Sequence, residues 1–315
     1  MNILLIGTDN AGDWQPYTDA HCFAFFDGFD ELAHAEGSHV NFIRNNCHVY
    51  ARLDAALEAF HPDLAAIHVP NFAKNNLAYE ISLLKRGIPV YESKLRLRGR
   101  QDYNTLHLHV QTSRATVHIG EFYRYDPRVL AVKRLLDSGA IGKPEQMRWR
   151  CGLSDGAFSP WETTYTHLAQ EDLAYHHYSV MHLLLNLTGA EILTRSASPE
   201  KAAPLTGTVS DTLLTTASGC RVSHSIDWHN TMAATDYLGN FYIDGTRGGV
   251  VVEGGNVYTQ QWGGERMAVP VAVGISPKAI DHLPAFEPDK TLHTWTFPAF
   301  ASVMACVYGN DDMPA

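Results

Sequence analysis

The chain reads as an α/β protein, with an N-terminal doubly wound parallel sheet and a C-terminal α+β domain built on an open, mostly antiparallel sheet. Three observations predict this. Short apolar runs alternate with helical stretches five times between Met1 and Ile119, the pattern of right-handed βαβ crossovers. Beyond Gly142 the pattern changes to short alternating segments joined by Gly-rich turns, as in an antiparallel sheet. The length, 315 residues, exceeds what one ordinary hydrophobic core organises. The change of pattern divides the chain into domains of 1–122 and 123–315.

Taken in order, residues 2–7 form an apolar run ending in Gly7, as a buried parallel strand does. A polar stretch follows from Thr8 to Thr18. Asp19 to Ala35 carries Ala20, Phe23, Ala24, Phe26 and Leu32 at helical spacing and predicts a helix. Val40 to Ile43 predicts the second strand, Leu53 to Phe60 a helix and Leu64 to Val69 the third strand. A helix from about Ala73 to Lys85 is closed by Gly87. Pro89 to Glu92 predicts the fourth strand, Arg100 to Thr112 a helix and Ala115 to Ile119 the fifth strand. In the second half, helices are predicted over Arg128 to Ser138 and Asp172 to Leu187. Strands are predicted at Glu145–Gly152, Leu213–Ser218, Arg221–Trp228, Phe241–Asp244, Val250–Glu253 and Asn256–Trp262. On a doubly wound sheet, ligands sit at the carboxyl ends of the strands where the order reverses. The loops at 8–18, 44–48, 70–75 and 92–98 would line that crevice.

Composition excludes several classes of function. A net charge of −10 opposes general affinity for nucleic acid. No apolar stretch is long enough to span a bilayer, and the N-terminus lacks a basic flank and a cleavage site. The five cysteines, at 22, 47, 151, 220 and 306, share no metal-ligand spacing. Their odd number argues against a disulfide framework and fits a reducing cytoplasm.

Four stretches carry a family resemblance: Pro62-Asp63-Leu64 through Val69-Pro70-Asn71 to Leu84–Val90; Gly120–Pro127 continuing to Asp137–Lys143; Asp172-Leu173-Ala174-Tyr175-His176; and Phe241–Gly249. Together they resemble the glucose–fructose oxidoreductase/inositol dehydrogenase (Gfo/Idh/MocA) family, nearly end to end. The resemblance implies a Rossmann domain, then an open sheet with helices on one face and the other face free for substrate or a partner subunit. Members of that family usually carry one more helix beyond the stretch matching Pro298–Tyr308.

The same resemblance implies hydride transfer from a carbinol, which needs a base for the hydroxyl proton. Lys94 falls on the family's loop Lys after the fourth strand, with Ser93 and Leu95 replacing its neighbours. Asp172 and His176 match its D-x-x-x-H helix, and a spacing of four puts them on one face. Read without the family, a lone Lys is a solvated loop residue and an Asp/His pair is a surface pair or a cap. His177 and His182 read as structural, and adjacent residues on a helix point apart, which argues against a metal site with His176. The run Lys94, Arg96, Arg98 and Arg100 reads as a solvated loop or as a cationic rim.

Candidate cofactor contacts are Gly7, Asp9, Gly12, Arg44, Pro70, Asn71 and Glu92. The glycine frame Gly7-Thr8-Asp9-Asn10-Ala11-Gly12 departs from G-x-G-x-x-G at Asp9. A carboxylate there, ~4 Å from a phosphate oxygen, would cost about 4 kcal/mol at an effective dielectric of 20. After the predicted second strand stand Arg44, Asn45 and Asn46, without the ribose-binding acid. Arg44 in that place would favour a 2′-phosphate. Two readings follow. One is an NAD- or NADP-dependent oxidoreductase of a sugar, inositol or related polyol. The other is a non-redox relative that binds a ligand or regulates. A lyase or isomerase using the same acid/base groups is a minor third. The long strands after Leu213 call for cover on the face away from the helices, and so predict a homo-oligomer.

Overall fold

A computed structural model describes residues 1–8, 11–28, 31–34, 36–68, 76–92, 100–115, 117–154, 160–230, 234–271, 295–296, 303–304 and 306–307. The chain forms two compact units, one holding Met1–Glu121 and the other beginning at Phe122. Among the described residues no helix is long and apolar enough to cross a membrane.

The first unit opens with β1 (Asn2–Ile6), whose last four residues are buried, as befits a central strand covered on both faces. A 3-10 segment at Ala11–Tyr17 leads to β2 (Cys22–Phe26). Next come α1 (Glu31–His34), α2 (Ser38–Asn46), β3 (Cys47–Tyr50), α3 (Leu53–Phe60) and β4 (Leu64–Ile67). The unit continues through α4 (Asn76–Lys85), β5 (Val90–Glu92), α5 (Arg100–Thr112) and β6 (Val117–Ile119). The sheet order is β6-β5-β4-β1-β2-β3, all parallel. The order reverses between β1 and β4, which lie side by side, so the switch point falls at the ends of Ile6 and Ile67.

Two expectations are corrected here. Asp19 to Ala35 is not one helix: it holds the end of the crossover, β2 and the short α1. Cys22-Phe23-Ala24-Phe25-Phe26 is a continuous apolar run, which satisfies a helical period as readily as it fills a buried strand. Its three aromatics suit the strand. Val40 to Ile43 is helical, part of α2. Val40, Phe42 and Ile43 face inward while Asn41 and Arg44 point out. The first crossover therefore lacks a full helix. Trp14, fully buried, packs with Ile3, Leu5, Phe23, Phe25, Phe42, Leu64, Ala66 and Tyr91 in place of a helix ridge.

The second unit begins with a 3-10 turn at Phe122–Tyr125 and α6 (Pro127–Asp137). Asp126 caps α6 by accepting from the Arg128 N–H at 2.8 Å, and Pro127 supplies the preset first turn. After β7 (Pro144–Gly152) a π-helical segment, Ala169–Ala174, runs into α7 (Tyr175–Leu185). The strands β8 (Glu191–Ala197), β9 (Val209–Thr215), β10 (Arg221–Asp227), β11 (Asn240–Gly245), β12 (Gly248–Glu253), β13 (Asn256–Gln261) and β14 (Met267–Ala268) follow. Their order is β14-β13-β12-β11-β7-β10-β9-β8, antiparallel except for the central β7–β10 pair. Gly254 and Gly255, both at positive φ, make the tight turn between β12 and β13. β8 is a strand that the expected set lacked. Inward residues such as Met147, Trp149, Val222, Ile226, Phe241 and Ile243 are buried, while alternate residues lie on the outer face. Leu193 and Leu213 are exposed on β8 and β9. A last strand, β15 (Trp295–Thr296), pairs antiparallel with β6 and belongs to the first unit's sheet.

Candidate functional site

In the first unit, Gly7 follows β1 at φ 89, a conformation that favours glycine. The Thr8 carbonyl accepts from the Ala11 N–H at 3.2 Å, and the chain enters the 3-10 segment that contains Gly12. Asp9 lies outside the described residues, as do Pro70, Asn71 and Lys94. From that segment the Trp14 indole N–H donates to Nε2 of His68 at 2.8 Å. His68 follows β4, and its own N–H donates to the Ile6 carbonyl at 2.6 Å. The floor of the switch point is thus an aromatic and imidazole layer.

β2 ends at Phe26, so the residue after the second strand is Asp27. Its N–H donates to the Tyr50 carbonyl at 3.0 Å, anchoring it against the end of β3. The acid expected after the second strand is therefore present. It was hidden by the misplaced strand, and the Asp-Gly pair that closes a five-residue apolar run was the signal. The placement that singled out Arg44 is not the one observed. Arg44 sits in the last turn of α2, and its guanidinium donates to the Leu32 carbonyl at 2.7 Å.

Glu92 closes β5 and is 1% exposed; Glu80 on α4 is 0% exposed. Burial raises the Glu80 carboxyl well above the usual carboxylate range, and the neighbouring Glu92 and then Asp102 push it in the same direction. Nothing in the sequence marks Glu80, because a Glu on a helix is ordinarily solvated.

In the second unit the expected helix from Asp172 is not uniform. Asp172 sits in the π segment and His176 in α7. The i→i+5 turn between them changes the phase that a spacing of four implies in a plain α-helix. The Tyr165 hydroxyl donates to Asp172 Oδ1 at 3.3 Å. The His176 ring stacks on Tyr123, with centroids 4.7 Å apart and planes at 24°, and lies 5.6 Å from the ring of Phe122. Phe122 and Tyr123 line a pocket of about 520 Å³ whose other walls include Tyr237, Leu238 and the Arg128 side chain. Arg128 is held between Asp126 at 2.7 Å and Asp236 at 2.5 Å.

Gln170, buried in the π segment, ties this region together. Its Oε1 accepts from the Ser210 hydroxyl at 2.5 Å, and its Nε2 reaches the Tyr178 hydroxyl and the Cys306 carbonyl, both at 3.1 Å. His177 is structural. Its Nε2 donates to the Tyr237 carbonyl at 2.8 Å, so its Nδ1 accepts from Nε2–H of His224 at 2.9 Å. Burial holds His177 down at about 3 and His224 well below the ordinary histidine range. His182 accepts the Leu187 N–H near the end of α7.

No family profile matches the chain. A curated relative, inositol 2-dehydrogenase of Burkholderia ambifaria, is 28% identical over 171 residues, 52% of this chain and 48% of the relative. The match thus spans about half of that protein's length. Solved structures match along nearly the whole chain. An oxidoreductase from Agrobacterium radiobacter in complex with NAD+, L-tartaric acid and magnesium superposes with a TM-score of 0.81 at 16% identity, covering 98% of this chain and 94% of the other. Levoglucosan dehydrogenase in complex with NADH and levoglucosan gives 0.74 at 16% identity, covering 98% and 94%. UDP-N-acetylglucosamine 3-dehydrogenase of Acidithiobacillus ferrooxidans gives 0.72 at 16% identity, covering 98% and 95%. The resemblance to the glucose–fructose oxidoreductase/inositol dehydrogenase family therefore stands, carried in sequence by the inositol 2-dehydrogenase match and in fold by these oxidoreductases.

Proposed function

We propose that the protein is a nicotinamide-dependent oxidoreductase that acts on a sugar or related polyol, and that it prefers NAD(H). The observation that carries the reading is Asp27, standing directly after β2 of a sheet whose order reverses beside it at β1. An acid at that place hydrogen-bonds a ribose 2′-hydroxyl and repels a 2′-phosphate. Gly7 at positive φ fits the first turn of such a site. The phosphate end departs from the usual pattern, because a 3-10 segment replaces the helix whose N-terminus ordinarily faces a pyrophosphate. The sugar or polyol class is supported by the relatives, which include an inositol and a levoglucosan dehydrogenase.

When bound, a nicotinamide supplies the hydride acceptor. The chain supplies the rest. His176, steadied by stacking on Tyr123, takes the hydroxyl proton on a ring nitrogen as the carbinol is oxidised. Asp172, with Tyr165 on its Oδ1, orients substrate hydroxyls or the imidazole. Lys94 assists on the family resemblance. The exposed Phe122 offers an apolar face to the C–H side of a sugar ring. The exposed Leu193 and Leu213 support a homo-oligomer packed through the outer face of the second sheet.

The test is a titration of the wild-type protein with NADH and NADPH, by calorimetry or fluorescence transfer. Saturable NADH binding, tighter than NADPH, is expected. Absence of binding by either at millimolar concentration overturns the reading in favour of a non-redox ligand-binding relative.

A further inference from the structure

Glu80 and Glu92 lie on adjoining elements, α4 and β5, with essentially no solvent on either. Among the described residues neither oxygen of Glu80 receives an N–H or O–H. Its carboxyl instead lies within hydrogen-bonding reach of the Glu92 carboxyl. Two ionised carboxylates in contact inside a protein repel strongly, and a buried carboxylate without a donor is costlier than the neutral acid. One proton between them converts the repulsion into a charge-assisted O–H···O⁻ bond. Glu92 ends a strand at the edge where ligands bind on such sheets, whereas Glu80 is enclosed in the helix layer behind it.

We propose that Glu80 is a neutral positioning residue: it carries the proton, donates it to Glu92, and holds that carboxylate at the carboxyl end of β5. Among the described residues, the groups that act on Glu80 from the neighbouring elements are Glu92 of β5 and Asp102 of α5, both acidic, so both favour the protonated form. The role of Glu92 towards a cofactor rests on the function proposed above. The shared proton does not.

Two variants of the full chain test this. Glu80→Gln keeps an N–H donor but has no proton to lose. Glu80→Leu removes the donor. In the unfolded chain Glu80 ionises above about pH 4.5, the ordinary carboxyl value, while the folded protein keeps it neutral. The wild type therefore loses stability relative to Glu80→Gln as pH rises from there towards the raised folded value. The expected loss approaches tenfold in the folding equilibrium per pH unit. Urea unfolding of ligand-free wild type and Glu80→Gln between about pH 5 and about pH 8 reads it. An infrared carbonyl band of a protonated carboxylic acid, present in the wild type near neutrality and absent in Glu80→Gln, is expected alongside. A stability difference that stays flat with pH, or the absence of that band, overturns the proposal. In the second arm, Glu80→Leu weakens NADH binding about tenfold or more while Glu80→Gln stays within about threefold. Equal NADH affinity in all three proteins ends the positioning role. If the wild type binds no NADH, the cofactor reading falls, and the unfolding and infrared results alone decide the Glu80–Glu92 pair.

Discussion

Trp14 donates its indole N–H to Nε2 of His68 across 2.8 Å, and this bond joins the turn after β1 to the residue after β4. It crosses the point where the sheet order reverses, and both partners are buried. Trp14→Phe keeps much of the packing but leaves the imidazole acceptor without its indole donor. The expected loss is about 1–3 kcal/mol in urea unfolding. A change below about 0.5 kcal/mol would mean that the ring alone, not its N–H, matters here.

Asp27→Ala removes the acid after β2. NADH affinity should fall about 10- to 100-fold, the scale of a lost hydrogen bond to a charged group, while NADPH affinity holds or improves. Side-by-side calorimetry gives the ratio. An unchanged NADH/NADPH ratio would place the ribose elsewhere.

His176→Ala should lower kcat by about 100- to 10,000-fold with the NADH dissociation constant little changed, because proton transfer acts in the transition state. Steady-state kinetics on an oxidisable polyol, paired with NADH titration, separate the two effects. A loss confined to KM would make His176 a binding residue only.

Gln170 presents Oε1 to Ser210 and Nε2 to the Cys306 carbonyl. Gln170→Glu is close in shape but turns an acceptor towards that carbonyl. It should destabilise by about 1–3 kcal/mol at neutral pH and recover in acid as the carboxyl gains a proton. Denaturant midpoints at two pH values decide it; a pH-independent deficit contradicts the donor role.

The His177–His224 pair makes the second unit acid-sensitive. Burial lowers both imidazoles, His177 to about 3. The unfolded chain takes up protons below the ordinary value of 6.5, while the folded chain does not. Their contribution is therefore present above about 6.5 and is lost as pH falls towards 3, at up to about 1.4 kcal/mol per pH unit for each group. His224→Gln removes one titrating group and should flatten the dependence of unfolding free energy on pH between about 6.5 and about 5. An unaltered slope would assign the acid sensitivity elsewhere.

The order of domains and the alternation of strand and helix were legible because buried parallel strands are short apolar runs between Gly, Pro and Asp. Leu64 to Ile67 and Arg100 to Thr112 illustrate this. Two neighbouring runs were exchanged in type. Phe23 to Phe26 and Val40 to Ile43 are too short for periodicity to choose, and the choice comes from packing on Trp14. That exchange concealed Asp27 and promoted Arg44. Asp172 and His176 were legible as a motif, but the π turn between them was not, nor was the pairing of its Gln170 with Ser210 on a distant strand, which only the fold brings together. Glu80 was invisible for a similar reason: only the fold brings it against Glu92.

β15 reaches β6 from the far end of the chain, with every strand of the second sheet lying between them in sequence. Synthesis from the N-terminus therefore delivers β1 through β6 long before Trp295 and Thr296 exist. During that interval the outer edge of β6 offers unpaired backbone groups, and the whole antiparallel sheet must emerge before they are covered. A nascent chain stalled before Trp295 carries an open β6 edge, a ready template for pairing with another copy of itself.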